Sequence, residues 1–222
     1  MYFSIVTDSF LLITFPPGII AMDEMQPENE QLRIWWQQSL KNDTASFGHI
    51  HASLFHGLYC YAAKLLNDEG LADDAIQDLF IKIWNKRSTI GELQKVKAYF
   101  YTALRRQVLN QLRDLKLRQL KINMSVQPDI EFSQEEILIK KEQDAGLKEK
   151  ILELLNGLPK RQREVIYLHY FENMSLSQIT EVMDINYQSV LNLKQRAIQQ
   201  MRSANMLSIF LLCCTLYHPG EL

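Results

Sequence analysis

Gln188, Asn192, Gln195, Arg196 and Gln199 are spaced so that a helix turning about 100° per residue sets them along one side. Val190, Leu193, Ala197 and Met201 then fall on the other side. Amides and guanidinium groups are the side chains that read base edges in a DNA major groove. The chemistry on offer is therefore recognition by hydrogen bonds. The sequence presents no nucleophile beside a base, no glycine-rich phosphate loop and no metal cluster of ligand-like spacing. An ordinary helical hairpin with a solvated polar face satisfies the same period, so the stripe takes its meaning from its surroundings.

The elements that must position this stripe are legible on either side of it. Ser175 is a good N-cap, and Gln178 sits three residues on, as a capping box requires. Ile179, Val182 and Met183 follow at helical spacing and are expected to be buried. Asp184-Ile185-Asn186 reads as a short turn, because Asp and Asn tolerate the left-handed conformation. A second helix is expected from about Gln188 to Arg202, which completes a helix-turn-helix. Upstream, Pro159 suits the first turn of a helix running through Phe171, and Asn173 suits its left-handed end.

Two further arrays precede the hairpin. From Lys86 to Lys121 the bases are Lys86, Arg87, Lys95, Lys97, Arg105, Arg106, Arg113, Lys116, Arg118 and Lys121, against the acids Glu92 and Asp114. Such a block is a candidate phosphate-facing surface, and a solvated helix face accounts for it equally well. Tyr99, Phe100 and Tyr101 lie within it, and aromatic rings beside cations suit the exposed bases of a single strand. Phe100, Leu104, Val108 and Leu112 are better read as core, which leaves Tyr99, Arg105 and Arg106 as candidates for DNA. The second array lies on a helix expected from Leu71 to Arg87. Ala72, Ile76, Leu79, Phe80 and Ile83 form its apolar side, while Asp74, Gln77, Asp78, Ile81 and Asn85 form the other. One exposed Ile is normal on any surface, but Ile81 among acids and amides also suits a partner-binding ridge.

Length and composition set bounds. The 222 residues carry 47% hydrophobic residues and a formal net charge of −2, enough for a large domain or two small ones with real cores. The apolar period is helical almost throughout, with helices expected over 28–40, 44–66, 71–87 and about 97–115, and loops at 67–70 and 88–96. Lys121 to Glu136 loses that period and carries Pro128, Asp129, Glu131, Glu135 and Glu136, so it reads as a flexible acidic linker. The expected fold class is all-α: two small helical domains joined by this linker, the C-terminal one a helix-turn-helix. The expected bounds are 1–22 for an apolar extension, 23–116 for the first domain, 117–146 for the linker, 147–205 for the second domain and 206–222 for an apolar tail.

Met1 to Ala21 lacks the basic start of a signal peptide, and Pro16-Pro17-Gly18 breaks its apolar run. The expectation is that translation begins at Met22 or Met25. Cys60, Cys213 and Cys214 have no ligand-like spacing, and their pattern fits a reducing cytoplasm. His49 and His51 are two apart, but their surroundings look helical, so surface or core histidines are the better reading.

With these features in order, the chain resembles the extracytoplasmic-function sigma factors of bacterial RNA polymerase, part of the sigma-70 superfamily. The segment LADDAIQDLFIKIW looks like their core-polymerase-binding helix, and KAYFYTALRRQVLNQLR like the promoter-melting helix that follows. LPKRQREVIYLHYFENMSLSQITEVMDINYQSVLNLKQRAIQQMR looks like their C-terminal domain, in a style similar to the sigma factors of Bacteroidetes. The resemblance implies that Asp74, Gln77, Asp78, Phe80, Ile81 and Trp84 dock on the clamp helices of the largest polymerase subunit, with Phe80 and Trp84 partly structural. It implies a minus-ten surface of Lys95, Lys97, Tyr99, Arg105, Arg106, Asn110 and Arg113, with the loop 88–96 capturing a flipped base. It implies a minus-thirty-five reader made of Ser175, Ser177, Gln188, Ser189, Asn192, Gln195, Arg196 and Gln199. Its implied partners are core RNA polymerase, through the clamp helices and the beta flap, promoter DNA and a membrane-bound anti-sigma factor, with no cofactor and no small-molecule substrate.

The sequence departs from the family at several positions. Asp184 replaces a turn glycine, Thr180 a smaller residue, Arg106 a frequent Asn and Leu191 a common basic contact, while Lys194 stands where an apolar core residue is usual. A free-standing helix-turn-helix regulator and a protein-binding adaptor are the rival readings. The first half of the chain offers the former no clear dimer interface or sensor.

Overall fold

A computed structural model of the chain describes residues 27–118, 129–133 and 145–203. The apolar extension and the C-terminal tail lie outside them. The described residues form helices and connecting turns: α1 (Pro27–Leu40), α2 (Thr44–Leu66), α3 (Glu69–Ile90), α4 (Val96–Arg118), α5 (Ala145–Asn156), α6 (Lys160–Ile166), a π-helical turn (Tyr167–Phe171), α7 (Leu176–Met183) and α8 (Tyr187–Ser203).

The first four helices pack around α2, whose stripe of Ile50, Leu54, Leu58, Tyr61 and Leu65 is buried. Asp43 starts α2 by accepting the N–H groups of Ala45 and Ser46 at 3.0 and 3.4 Å, and Asn67, with φ 52°, ends it. The hydrogen bond from the Ser46 hydroxyl, and then that from its N–H, hold the Asp43 carboxyl below the usual aspartate value. Trp36 is fully buried and its indole N–H donates to the Gly91 carbonyl at 2.9 Å, pinning α1 to the end of α3. As the periodicity indicated, Phe100, Leu104 and Val108 of α4 are fully buried and Leu112 packs against the same core.

Three boundaries differ from expectation. The turn expected over 67–70 is shorter, because Asp68 caps α3 by accepting Leu71 N–H at 3.0 Å. Residues 88–90 extend α3 instead of opening a loop, and the helix stops at Gly91, with φ 71°, a value at which glycine meets no Cβ penalty. The helix expected to run straight from Pro159 through Phe171 instead widens after Ile166, with Glu172 N–H bonded to the Tyr167 carbonyl five residues back at 3.2 Å. That spacing stacks the Tyr167 and Phe171 rings, with centroids 5.7 Å apart and planes 9° apart, and both rings meet Phe132.

The linker is pinned at its middle. Ile130 and Phe132 are buried, the Asn156 side chain bonds both the N–H and the carbonyl of Phe132 at 2.8 and 3.1 Å, and Lys64 donates to the Glu131 carbonyl at 2.7 Å. Asp129 pairs with Lys160 at 2.5 Å and Arg163 at 2.6 Å. Charge and proline hid this anchor, because Ile130 and Phe132 form an apolar alternation too short to register as an element. The two helical halves also touch directly, α4 lying against α7, so one apolar core runs through both.

Candidate nucleic-acid interface

The helix-turn-helix is built by local hydrogen bonds. The capping box is reciprocal: Ser175 Oγ accepts Gln178 N–H at 3.1 Å, and Gln178 Oε1 accepts Ser175 N–H at 2.9 Å. Asp184 sits at φ 54° and ψ 50°, so it adopts the left-handed turn expected of it. Asn186 then caps α8, its Oδ1 accepting Ser189 N–H at 2.8 Å. Val190, Ala197 and Met201 are buried and Leu193 half-buried, while Gln188, Asn192, Gln195, Arg196 and Gln199 are exposed. Gln188 donates to Asn192 Oδ1 at 3.0 Å, so two members of the stripe hold one another in place.

Lys194, the odd residue of this helix, has a partner. The Met174 carbonyl can only accept, so His169 Nδ1 carries the proton and donates to it at 2.8 Å. His169 Nε2 is thereby left to accept the Lys194 ammonium at 2.7 Å. A polar tie thus holds Lys194 against the end of the preceding helix. Sequence reasoning missed Tyr187, 44% exposed at the head of α8 beside Gln188. Ser175 is occupied as a cap, and Ser177 accepts a hydrogen bond from Lys95.

On α3, Asp74, Gln77, Asp78 and Asn85 are exposed, with Ile81 59% exposed among them. Phe80 is buried and Trp84 half-buried, with the Arg87 guanidinium 3.8 Å above its ring. Thr44, Phe47, Phe80, Ile81 and Trp84 line an open apolar hollow of about 320 Å³ beside the acidic ridge. Acids around an apolar dent suit a partner that brings both bases and an apolar side chain.

The minus-ten set divides. Arg106, Asn110 and Arg113 form one exposed strip, with Arg113 bonded to Asn110 at 2.9 Å. Tyr99 is half-buried against Phe100, and burial raises its hydroxyl pKa against the opposing charge of Arg106. Lys97 is buried. Lys95 and Arg105 are turned toward the C-terminal half. Lys95 reaches Glu181 and Ser177 of α7, each at 2.7 Å. Arg105 clasps Glu164 of α6 at 2.7 and 3.3 Å.

Glu164 and Glu172 were not found by sequence reasoning, and they organise this joint. Glu164 is fully buried and also accepts the Tyr61 hydroxyl at 2.7 Å. Burial, then the charge of Glu164, raises the Tyr61 pKa well above 10. Burial opposes the Arg105 charge, but the Glu164 hydrogen bonds and charge outweigh it and raise the Arg105 pKa. Glu172 accepts from Tyr101 and, at 2.9 Å, from Tyr167. A signal existed: Glu164, Leu168 and Phe171 share a helical side, and an acid on an apolar stripe needs a partner.

Two family descriptions match these halves: sigma-70 region 2 over residues 53–118, and sigma-70 region 4 over residues 148–201, between them more than half of the chain. The chain belongs to the sigma-70 family. It is similar to the RNA polymerase sigma factor SigV of Bacillus subtilis, 28% identical over 65% of this chain and 81% of that protein. It is also similar to SigZ of the same organism, 25% identical over 63% of this chain and 75% of the relative. Two solved structures share the fold: CnrH in complex with the cytosolic domain of CnrY (TM-score 0.54, 18% identity, 78% of this chain and 96% of that one), and the sigma factor RpoE of Bartonella quintana with the anti-sigma factor NepR (TM-score 0.52, 18% identity, 79% and 98%). The chain is thus an RNA polymerase sigma factor of the extracytoplasmic-function type, a subunit that directs core polymerase to specific promoters. Among the described residues no helix is long and apolar enough to cross a membrane.

Proposed function

We propose a division of labour within this sigma factor. The α3 ridge of Asp74, Gln77, Asp78 and Ile81, with the hollow walled by Phe80 and Trp84, takes the clamp helices of core polymerase. The C-terminal domain meets the beta flap and reads a minus-thirty-five element through Gln188, Ser189, Asn192, Gln195, Arg196 and Gln199, oriented by backbone contacts near Ser175 and Ser177. The surface of Lys95, Tyr99, Arg105, Arg106, Asn110 and Arg113, without the buried Lys97, engages the minus-ten element, where capture of unstacked bases offsets a few kcal/mol per flipped base. The protein performs no covalent chemistry and works in the cytoplasm. The solved relatives bound to CnrY and NepR support an anti-sigma partner for this chain too, membrane-bound in our reading.

The observation that carries this reading is the bare polar face of α8, whose apolar side is fully used in packing. The test is run-off transcription from sheared genomic DNA of the source organism, with core polymerase lacking any other specificity factor. Discrete new transcripts are expected, and their upstream sequences give both promoter elements. Absence of transcripts together with absence of core binding overturns the assignment in favour of a free-standing regulator.

A further inference from the structure

We propose that His169 is a positioning residue of the promoter reader: through Lys194 it sets the rotation of α8 about its own axis, and with it the direction in which the recognition face points. The inference rests on the reading that this face meets the minus-thirty-five element.

Lys194 stands on the apolar side of its helix. It lies four residues after Val190, three before Ala197 and seven before Met201, and all three are buried. An ammonium there is costly unless it finds an acceptor. The acceptor is His169 Nε2 at 2.7 Å, with the Tyr170 ring centroid 5.9 Å from the ammonium. An imidazole can accept only through a nitrogen that carries no proton. The Met174 carbonyl, 2.8 Å from Nδ1, draws the proton to the other nitrogen and so creates that acceptor.

The imidazole itself is firmly seated. His169 lies in the π-helical turn, is 3% exposed and meets the Tyr170 ring edge-on, with centroids 4.7 Å apart. The same turn holds Met174 at both ends: its N–H donates to the Leu168 carbonyl at 3.0 Å, and its carbonyl accepts from His169. Ser175, the cap of α7, follows directly. One side chain thus joins the π-helical turn, the entry to α7 and the middle of α8. Turns of this kind are frequent at functional sites.

The tie supplies what apolar packing supplies poorly. Hydrophobic attraction is non-directional, so Val190, Ala197 and Met201 hold α8 down more firmly than they fix its rotation. A hydrogen bond has a direction. Gln195 and Arg196 follow Lys194 immediately and are exposed on the recognition face. Side-chain tips lie about 5–6 Å from a helix axis, so a rotation of about 10° moves them by roughly 1 Å. A recognition contact tolerates about 0.5 Å. A small turn at Lys194 is therefore enough to misdirect Gln195 and Arg196.

The test uses the full chain with Lys194→Met, His169→Asn, both together, and His169→Gln. Lys194→Met keeps the stem and sets an apolar group on an apolar stripe, so the fold should survive. Asn still offers a donor to the Met174 carbonyl but ends short of Lys194, whereas Gln offers an oxygen in place of Nε2. Each chain is joined to core polymerase on a promoter recovered by run-off transcription, its minus-thirty-five element randomised and each template barcoded within the transcript. Wild type should favour defined bases. That preference should fall about tenfold in Lys194→Met and in His169→Asn, the effect of losing one good base contact. It should fall no further in the pair, because both changes remove the same bond. His169→Gln should retain most of it. Core binding should be unchanged throughout, and the melting temperature of Lys194→Met should not drop. Nitrogen-15 spectra of the wild-type chain should show His169 protonated at Nδ1 alone. An unaltered base preference in Lys194→Met, or a proton on Nε2 in wild type, overturns the positioning role while the promoter reading stands. Absence of any base preference in wild type sinks the promoter reading, and the proposal with it.

Discussion

The outer face of α8 and the face of α4 turned toward the C-terminal half each carry an arginine, yet Arg196 is bare and Arg105 is covered. On α8, Gln188, Asn192, Gln195, Arg196 and Gln199 face outward and are exposed. Lys95, just before α4, and Arg105, midway along it, are met by Glu181 and Glu164 across the joint between the halves. Residue type says what a surface can bind. What packs against it decides which of its groups are exposed. Such a difference is invisible to periodicity, because it arises between residues 59 and 86 positions apart in the chain.

The strongest way to break the contrast is to remove Glu164. Its carboxylate is the partner of a largely buried guanidinium, and stripping one member from such a pair destabilises by about 3–5 kcal/mol. The chain has a cheaper response than unfolding, which is to part its halves and rehydrate Arg105. Glu164→Ala is therefore expected to expand the molecule in solution scattering while circular dichroism retains its helical signal. Loss of helix together with expansion would mean that Glu164 supports the C-terminal fold itself.

A smaller effect is expected at the bare surface, and it should be of another kind. Arg196→Ala removes an exposed side chain with no contact across the joint, so compaction and core binding should survive. Promoter selection should weaken by about 1–3 kcal/mol if Arg196 reads a base edge. Competition between two promoters in run-off transcription measures it, and an unchanged ratio would assign Arg196 to plain solvation. Asp74→Ala with Gln77→Ala should do the reverse. Affinity for core polymerase should drop by about tenfold, the effect of roughly 1.4 kcal/mol, with DNA binding by the full chain unaltered. Equal losses in both assays would mean that α3 also serves the joint.

The sequence disclosed most of what local rules determine. Asp184 could be assigned its left-handed turn because Asp tolerates it, and the capping box at Ser175 needed only a spacing of three. Helix α2 was bounded at Thr44 and Leu66 by its apolar period and the turn residues that follow from Asn67, and the structure gives the same bounds. The π-helical turn escaped, since Tyr167 to Phe171 satisfies an α-helical period as well as a wider one. So did the anchoring of Ile130 and Phe132, which depends on Asn156 and Lys64 from distant elements. The candidate site divides along the same line. The stripe on α8 belongs to one helix and could be read from spacing, whereas the Glu164 and Glu172 seats require residues from α2, α4, α6 and the π-helical turn to meet.

The smallest and most diagnostic effect lies in pH. With the halves packed together Tyr61 is buried and donates to Glu164, and burial first, then that carboxylate, holds its pKa well above 10. With the halves parted, and Tyr61 freed from both, it would return toward an ordinary value of about 10. A group whose pKa is raised by closure favours the closed form fully below the open-state value and progressively less as pH rises beyond it. Closure should thus be flat in this respect up to about pH 10 and weaken above it, as ionised Tyr61 would have to be buried against a carboxylate. Tyr61→Phe should remove that alkaline response at a cost of roughly 1 kcal/mol for the lost hydrogen bond, since Arg105 continues to hold Glu164. Scattering titrated from neutral to alkaline pH separates the cases. If the variant expands at the same pH as the wild type, some other group governs the opening, and Tyr61 serves the joint through its packed ring alone.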